Sequence, residues 1–165
     1  VKKIQEIDSP AVVIDAALLE KNLRAMQSVC DANGVELWPH IKTHKLVPVL
    51  RRQLELGAVG ATFAKLSEAE ALLPSGIRQV FLAHSVVDLA KAPRLKALSE
   101  KLDRLVLAVT SAPQFDALER FLAVADIKVS VLLAIDTGLH REGARDPAQA
   151  AALAEKIRNS SRMKL

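Results

Sequence analysis

Short apolar runs alternate along this chain with longer stretches whose apolar positions recur at helical spacing. Those are the patterns that separate buried strands from amphipathic helices. Residues 11–15, Ala11-Val12-Val13-Ile14-Asp15, read as a strand. Residues 17–32 read as a helix, with Leu18, Leu19, Leu23, Met26 and Val29 near helical spacing and Asn33-Gly34 as its stop. A strand is predicted over 35–42. Thr43 is then placed to cap a helix that carries Val47, Leu50, Leu54 and Leu56 and stops at Gly57. After a strand at 58–64, Ser67-Glu68-Ala69-Glu70 matches a capping box, with serine at the cap and glutamate three later. That helix ends near Pro74-Ser75-Gly76. Strands at 79–83, 104–109 and 128–135 alternate with helices at 87–99, 112–124 and 147–159, the last with Pro147 in its first turn. Residues 159–165 read as a chain about to enter another strand.

Strands that are apolar almost throughout and alternate with helices imply a parallel sheet with helices outside it. An open doubly wound sheet and a (β/α)8 barrel both satisfy that rule. A doubly wound dinucleotide-binding sheet brings a glycine-rich turn after its first strand. Here that turn is Asp15-Ala16-Ala17, with no glycine, which favours the barrel. Leaving the 11–15 run aside, the expected fold class is α/β, a partial (β/α)8 TIM-type barrel with about five of eight parallel strands. The chain therefore reads as one incomplete barrel domain over 1–165, a segment of a longer protein. Alone, such a half-barrel leaves open sheet edges and an uncovered apolar face.

Composition narrows the classes further. Among 165 residues, half are hydrophobic and a quarter charged, the balance of a globular domain. No apolar run approaches the ~20 residues of a membrane span. The start, Val1-Lys2-Lys3-Ile4-Gln5-Glu6, has no apolar core of a signal peptide. Cys30 is the only cysteine, which excludes an internal disulfide and fits a cytoplasmic location. The net charge of +4 is spread among acids along helical patterns, and aromatics are only 3%. That argues against nucleic acid and for a small phosphate-bearing ligand.

Polar residues gather where the strands end. His40, Lys42 and His44 follow the first barrel strand, Lys65 the second and His84-Ser85 the third. Thr110-Ser111 follow the fourth, and Asp136, His140 and Arg141 the fifth. In a β/α barrel these ends share one face, where active sites are built. A lysine partly withdrawn from water there can act as a nucleophilic amine and form a Schiff base with an aldehyde cofactor. The alternatives at each position are plain ones: Lys42 as a solvated helix-start lysine, and His40 as a ring bonded to backbone. His40 and His44 would share a metal only if both were helical, which Pro39 opposes. In the loop Asp136-Thr137-Gly138-Leu139-His140-Arg141-Glu142-Gly143, an arginine can donate to a phenolic oxygen or phosphate and Asp136 can orient it. The alternative is a simple Asp–Arg pair in a turn.

The segment Pro39-His40-Ile41-Lys42-Thr43-His44-Lys45 resembles the signature of the D-threonine aldolase and D-serine dehydratase group. These are fold-type III pyridoxal-phosphate enzymes related to alanine racemase. Ser9 to Asp15 with Asn22, Ala64 to Glu70, and Ile135-Asp136-Thr137-Gly138 with Arg141 and Gly143 resemble the same family, so the likeness covers essentially the whole chain.

The resemblance implies an alanine racemase N-terminal-like barrel, with pyridoxal 5'-phosphate as cofactor. Lys42 becomes the Schiff-base lysine and the proton acceptor on the D face. Arg141 neighbours the cofactor's phenolic oxygen, and His40 lies close to the cofactor. The implied function is the N-terminal part of a lyase acting on small D-3-hydroxy amino acids, by retro-aldol cleavage or dehydration. The resemblance also places the phosphate-binding loops and a C-terminal β-domain with divalent-metal ligands outside 1–165, so no metal ligand is assigned within the chain. Related enzymes build their sites across a homodimer. Two departures bear on the chemistry. Leu46 stands where racemases of this fold carry a tyrosine, and the chain has no tyrosine at all; Ala134 stands where relatives carry an acidic or modified lysine residue. The alternatives are a non-catalytic pyridoxal-phosphate-binding protein, a racemase of the same fold, and a remnant that folds only with a partner.

Overall fold

A computed structural model of the chain describes residues 3–165. Val1 and Lys2, where the reading of a leaderless start begins, lie outside the described residues. The chain divides after Glu36 into two units, taken in turn below.

The first unit is one helix and its approach. Helix α1, Ala16–Ala32, begins where the Asp15 carboxylate accepts the Leu18 N–H at 2.9 Å. It ends at Asn33, and Gly34 takes the left-handed conformation (φ 61°) that reverses the chain. The strand expected over 11–15 does not form. An apolar run makes a strand only with a neighbour to pair with, and the described residues of this unit offer none.

The second unit, Leu37–Leu165, is a parallel sheet whose strands are joined by helices. Its strands are β1 (Ala61–Phe63), β2 (Gln79–Leu82), β3 (Arg104–Val109), β4 (Val129–Leu133) and β5 (Met163–Lys164), hydrogen-bonded in chain order. The helices are α2 (Val47–Leu56), α3 (Leu66–Leu72), α4 (Ala92–Ser99), α5 (Ala112–Ala125) and α6 (Pro147–Arg158). Consecutive parallel strands in sequential order, the first four each followed by a helix, are the arrangement of a partial (β/α)8 barrel.

The expected number of strands is present, with one change of membership. Residues 35–42 do not form a strand. Leu37 and Pro39 carbonyls accept the Val59 and Thr62 N–H groups at 3.2 and 2.9 Å, and His40 makes a single parallel bridge to Thr62. Pro39 has no N–H to continue the ladder, and the chain turns into a 3-10 turn at Ile41–Thr43. The fifth strand is instead β5, the short strand that 159–165 enters.

Two cap assignments also change. Thr43 closes the 3-10 turn, and α2 starts later, at Val47 with Leu46 before it. Ser67 lies inside the first turn of α3, whose N-cap is Lys65. Helices α5 and α6 start as expected, each with proline in the first turn behind a side-chain cap: Ser111 takes the Gln114 N–H, and Asp146 the Gln149 N–H.

The core lies between the sheet and its helices. Alternate strand residues Phe63, Val80, Leu82, Leu107 and Val131 face Leu66, Leu95, Leu118, Phe121 and Ile157 in one buried cluster. At the other end of β1, the Arg104 guanidinium lies 5.7 Å from the Trp38 ring. Gly60 makes room for that ring: a Cβ there would sit 2.6 Å from it. No described helix is long and apolar enough to cross a membrane.

Candidate active site

Strand register sets the site. His40, Thr62, Phe81, Val106 and Ser130 stand at one level across the sheet. Everything that follows this level lies toward one edge: Lys42, Ala64-Lys65, Ala83-His84, Thr110 and the loop after Leu133. The expected gathering of polar residues at the C-terminal edge is what the register delivers.

Lys42 occupies the middle of the 3-10 turn, with an exposed side chain. Among the described residues its ammonium makes no ion pair or hydrogen bond. Its backbone N–H points to His40 Nδ1 at 3.4 Å. His40 is half-buried, and its pKa is lowered chiefly by burial, then by the charge of Lys42, with His84 acting the same way and Glu68 opposing. His40, Lys42, His84 and Glu68 therefore lie within electrostatic reach of one another, and the neutral His40 ring is favoured.

The turn is pinned from several sides. The His44 and Lys45 N–H groups both donate to the Ile41 carbonyl, at 3.2 and 2.9 Å, and Lys45 adopts φ 49° to do so. Lys45 Nζ pairs with Glu68 Oε1 at 3.0 Å, and Glu68 Oε2 accepts the Ala64 N–H at 3.1 Å. One carboxylate thus joins the lysine turn to the end of β1. Burial would raise the Glu68 pKa, but the Lys45 bond and the backbone N–H groups of Ala64 and Lys65 outweigh it and hold the group below its ordinary value. Sequence reading treats Glu68 as a helix-start charge. The signal for its bridging role is its place three residues after the cap Lys65, the reach-back position of a capping box.

His44 accepts the Leu46 N–H at Nδ1, 3.1 Å away, and its Nε2 is enclosed. That ring is not available to share a metal with His40. Among the described residues no group of three or more His, Cys, Asp and Glu side chains is placed to hold a metal ion.

The loop after β4 is held by its own hydrogen bonds. Asp136 Oδ1 accepts the Gly138 and His140 N–H groups, both at 2.9 Å, and Oδ2 lies 3.2 Å from His140 Nδ1. Those N–H bonds, first His140 and then Gly138, hold the Asp136 pKa below its ordinary value. Gly143, at φ 104°, passes so close to Ala134 that a Cβ would lie 2.9 Å from its carbonyl. Asp136 therefore serves its own loop and does not orient Arg141. Arg141 is exposed and pairs with Glu142 at 3.6 Å. Strands β1, β2 and β3 lie in the sheet between its loop and the Lys42 turn.

A cavity of about 370 Å³ opens at this edge between the ends of β1 and β2, lined by Lys65, Ser67, His84, Ser85, Lys91 and Arg94 among others. A larger one, about 570 Å³, lies along α6 and β5, away from the gathered lysines and histidines. Lys42, His40, His84 and Glu68 gather on the strand-end face.

Together, parallel strands in sequential order, with a lysine in a pinned turn at their C-terminal edge, define a partial β/α barrel. A family model described as "Alanine racemase, N-terminal domain" matches residues 14–165, and the chain belongs to that family. It is 35% identical over 156 residues to a D-threonine aldolase of Arthrobacter sp., covering 94% of this chain and 41% of the relative. It is 36% identical over 137 residues to a D-threo-3-hydroxyaspartate dehydratase of Delftia sp. (strain HT23), covering 83% of this chain and 36% of the relative. The solved D-threonine aldolase from Filomicrobium marinum superposes with a TM-score of 0.90 at 30% identity, over 98% of this chain and 43% of that one. The chain spans about two fifths of the length of the curated relatives it matches.

Proposed function

We propose that this chain is the lysine-bearing N-terminal part of a pyridoxal-phosphate-dependent lyase acting on D-3-hydroxy amino acids. The observation that carries the reading is Lys42: an ammonium with no carboxylate partner among the described residues, held in a pinned turn at the C-terminal edge of a parallel sheet. The names of the two curated relatives support the substrate class, since each specifies a D-amino acid with a 3-hydroxyl group.

Two of the residues suit the cofactor: Lys42 Nζ is the amine to join its aldehyde, and His40, which holds the Lys42 N–H, is favoured as a neutral ring. Arg141 is exposed and paired with Glu142, and only the family resemblance makes it the donor for the phenolic oxygen. When bound, pyridoxal phosphate supplies the ring that withdraws electrons from the substrate's Cα. Lys42 Nζ then takes or returns the proton at Cα on the D face. Glu68 and Lys45 fix the turn, so the amine is presented from a set direction. This division leaves the choice between aldol cleavage and dehydration to groups at the 3-hydroxyl.

In this reading residues 1–165 are part of the barrel. The rest of the barrel and a C-terminal β-domain with divalent-metal ligands belong to the longer protein, which works as a cytoplasmic homodimer. The test is an absorbance spectrum with added pyridoxal phosphate, followed by D-threonine and D-serine. The lyase reading expects a protein-bound band that Lys42→Ala lacks. It also expects glycine with acetaldehyde, or pyruvate with ammonia, from the longer protein. A bound band without turnover in the longer protein supports a non-catalytic pyridoxal-phosphate carrier, and no band refutes both.

A further inference from the structure

Two imidazoles flank Lys42 and use the same device. Each accepts the backbone N–H two residues on: His40 Nδ1 that of Lys42 at 3.4 Å, and His44 Nδ1 that of Leu46 at 3.1 Å. The His44 contact is the shorter, and His44 Nε2 is shut away from solvent. Gln53 Oε1, on α2, is enclosed too, and neither atom meets a hydrogen-bond partner among the described residues. A neutral imidazole that accepts at Nδ1 carries its proton on Nε2. The enclosed Nε2–H and the enclosed Gln53 oxygen are then a complementary donor and acceptor. A charged ring would turn Nδ1 into a donor facing the Leu46 donor. It would also bury a cation that no carboxylate among the described residues meets: the charges on its own turn are Lys42 and Lys45, Glu68 of α3 is engaged by Lys45, and the facing group of α2 is Gln53.

We propose that His44 is a positioning residue: as a neutral ring protonated on Nε2, it clamps the turn that presents Lys42 by holding the Leu46 N–H while docked on Gln53. The proposal rests on Lys42 being the reactive amine. It makes the clamp dependent on pH. Burial lowers His44 below its ordinary 6.5, with Gln53 opposing, so the fold favours the neutral ring. The clamp is complete above 6.5 and is lost as pH falls through the folded value.

The test is a pH series on the unmodified protein, His44→Asn and His44→Ala, read three ways. Imidazole nitrogen shifts report the tautomer. Exchange of the Leu46 amide, corrected for its intrinsic rate, reports the clamp. Borohydride fixation of pyridoxal phosphate, mapped to Lys42, reports presentation of the amine. An asparagine keeps a short acceptor two residues before Leu46 but cannot titrate. In the unmodified protein, Leu46 exchange should speed up about 5- to 10-fold, one hydrogen bond's worth, as His44 gains its proton. His44→Ala should show the fast rate at every pH, with less adduct at Lys42. His44→Asn should keep protection and adduct with no transition at the His44 titration.

A proton on Nδ1 of the neutral ring overturns the proposal. So does Leu46 protection in His44→Ala equal to that of the unmodified protein. Loss of protection with unchanged adduct formation overturns the positioning role. Absence of any adduct at Lys42 in the unmodified protein overturns the lyase reading instead, and the tautomer and exchange data still decide what His44 does to the turn.

Discussion

Replacing Glu68 by alanine should loosen the joint between the Lys42 turn and β1. In the structure this carboxylate is mostly shielded, with its side chain 11% exposed, and makes two separable contacts. The bond from the Ala64 N–H goes to a charged acceptor, worth about 1.5–3 kcal/mol, and truncation leaves that donor unpaired. The Lys45 ion pair counts for less, at most about 1 kcal/mol, because the lysine side chain is 55% exposed and screened by water. Glu68→Ala should therefore cost about 2–3 kcal/mol, or roughly 5–10 °C in Tm for a chain of this size. Glu68→Gln keeps an oxygen for Ala64 and loses only the charge, so about 1 kcal/mol is expected. Lys45→Met should cost no more than Glu68→Gln. Urea unfolding of the single variants and the Lys45→Met/Glu68→Ala pair measures each contribution and their coupling. The reasoning is refuted if Glu68→Ala lies within about 0.5 kcal/mol of the unmodified chain, or if Glu68→Gln is equally damaging.

Gly60→Ala should destabilise by about 1–3 kcal/mol, because its Cβ would lie 2.6 Å from the Trp38 ring and 2.9 Å from the Gln79 carbonyl oxygen; Trp38→Leu in the same chain should recover part of that loss in urea unfolding, and no recovery would place the clash elsewhere. The Asp136 loop should be acid-sensitive: its carboxyl is held below the ordinary 3.8 by the His140 and Gly138 N–H groups, so its contribution is present above 3.8 and is lost as pH falls through the folded value. Amide exchange at Gly138 and His140 should rise over that range, and should be fast at neutral pH in Asp136→Ala.

Legibility from sequence followed how local each determinant is. Strand β3 and helices α5 and α6 were readable because each carries its own signal. Arg104–Val109 is a continuous apolar run after its first residue, and Ser111-Ala112-Pro113 and Asp146-Pro147 place a cap before a proline. The 11–15 and 35–42 runs were misread because a strand also needs a partner, and Pro39 removes a donor that the ladder would need. Strand β5 carries almost no run of its own and exists through its pairing with Val129 and Ser130. At the site, the positions of Lys65 and His84 at strand ends were legible, since parallel strands put all such ends on one edge; Lys42 lies toward the same edge, but in a 3-10 turn. The roles of Glu68, His44 and Gln53 were not, because each depends on a contact with a different element. Asp136 could be placed by its spacing, but its use of the Gly138 and His140 N–H groups follows from loop conformation alone.

The most direct test of the central claim is the site of covalent capture. The chain is mixed with pyridoxal phosphate at neutral pH, reduced with borohydride, digested and mapped by mass spectrometry, beside Lys42→Ala. The account predicts that the pyridoxyl group is fixed on Lys42, well ahead of Lys45, Lys65 and the surface lysines, and that Lys42→Ala retains only scattered label. Label distributed among lysines by exposure, unchanged by Lys42→Ala, would contradict it.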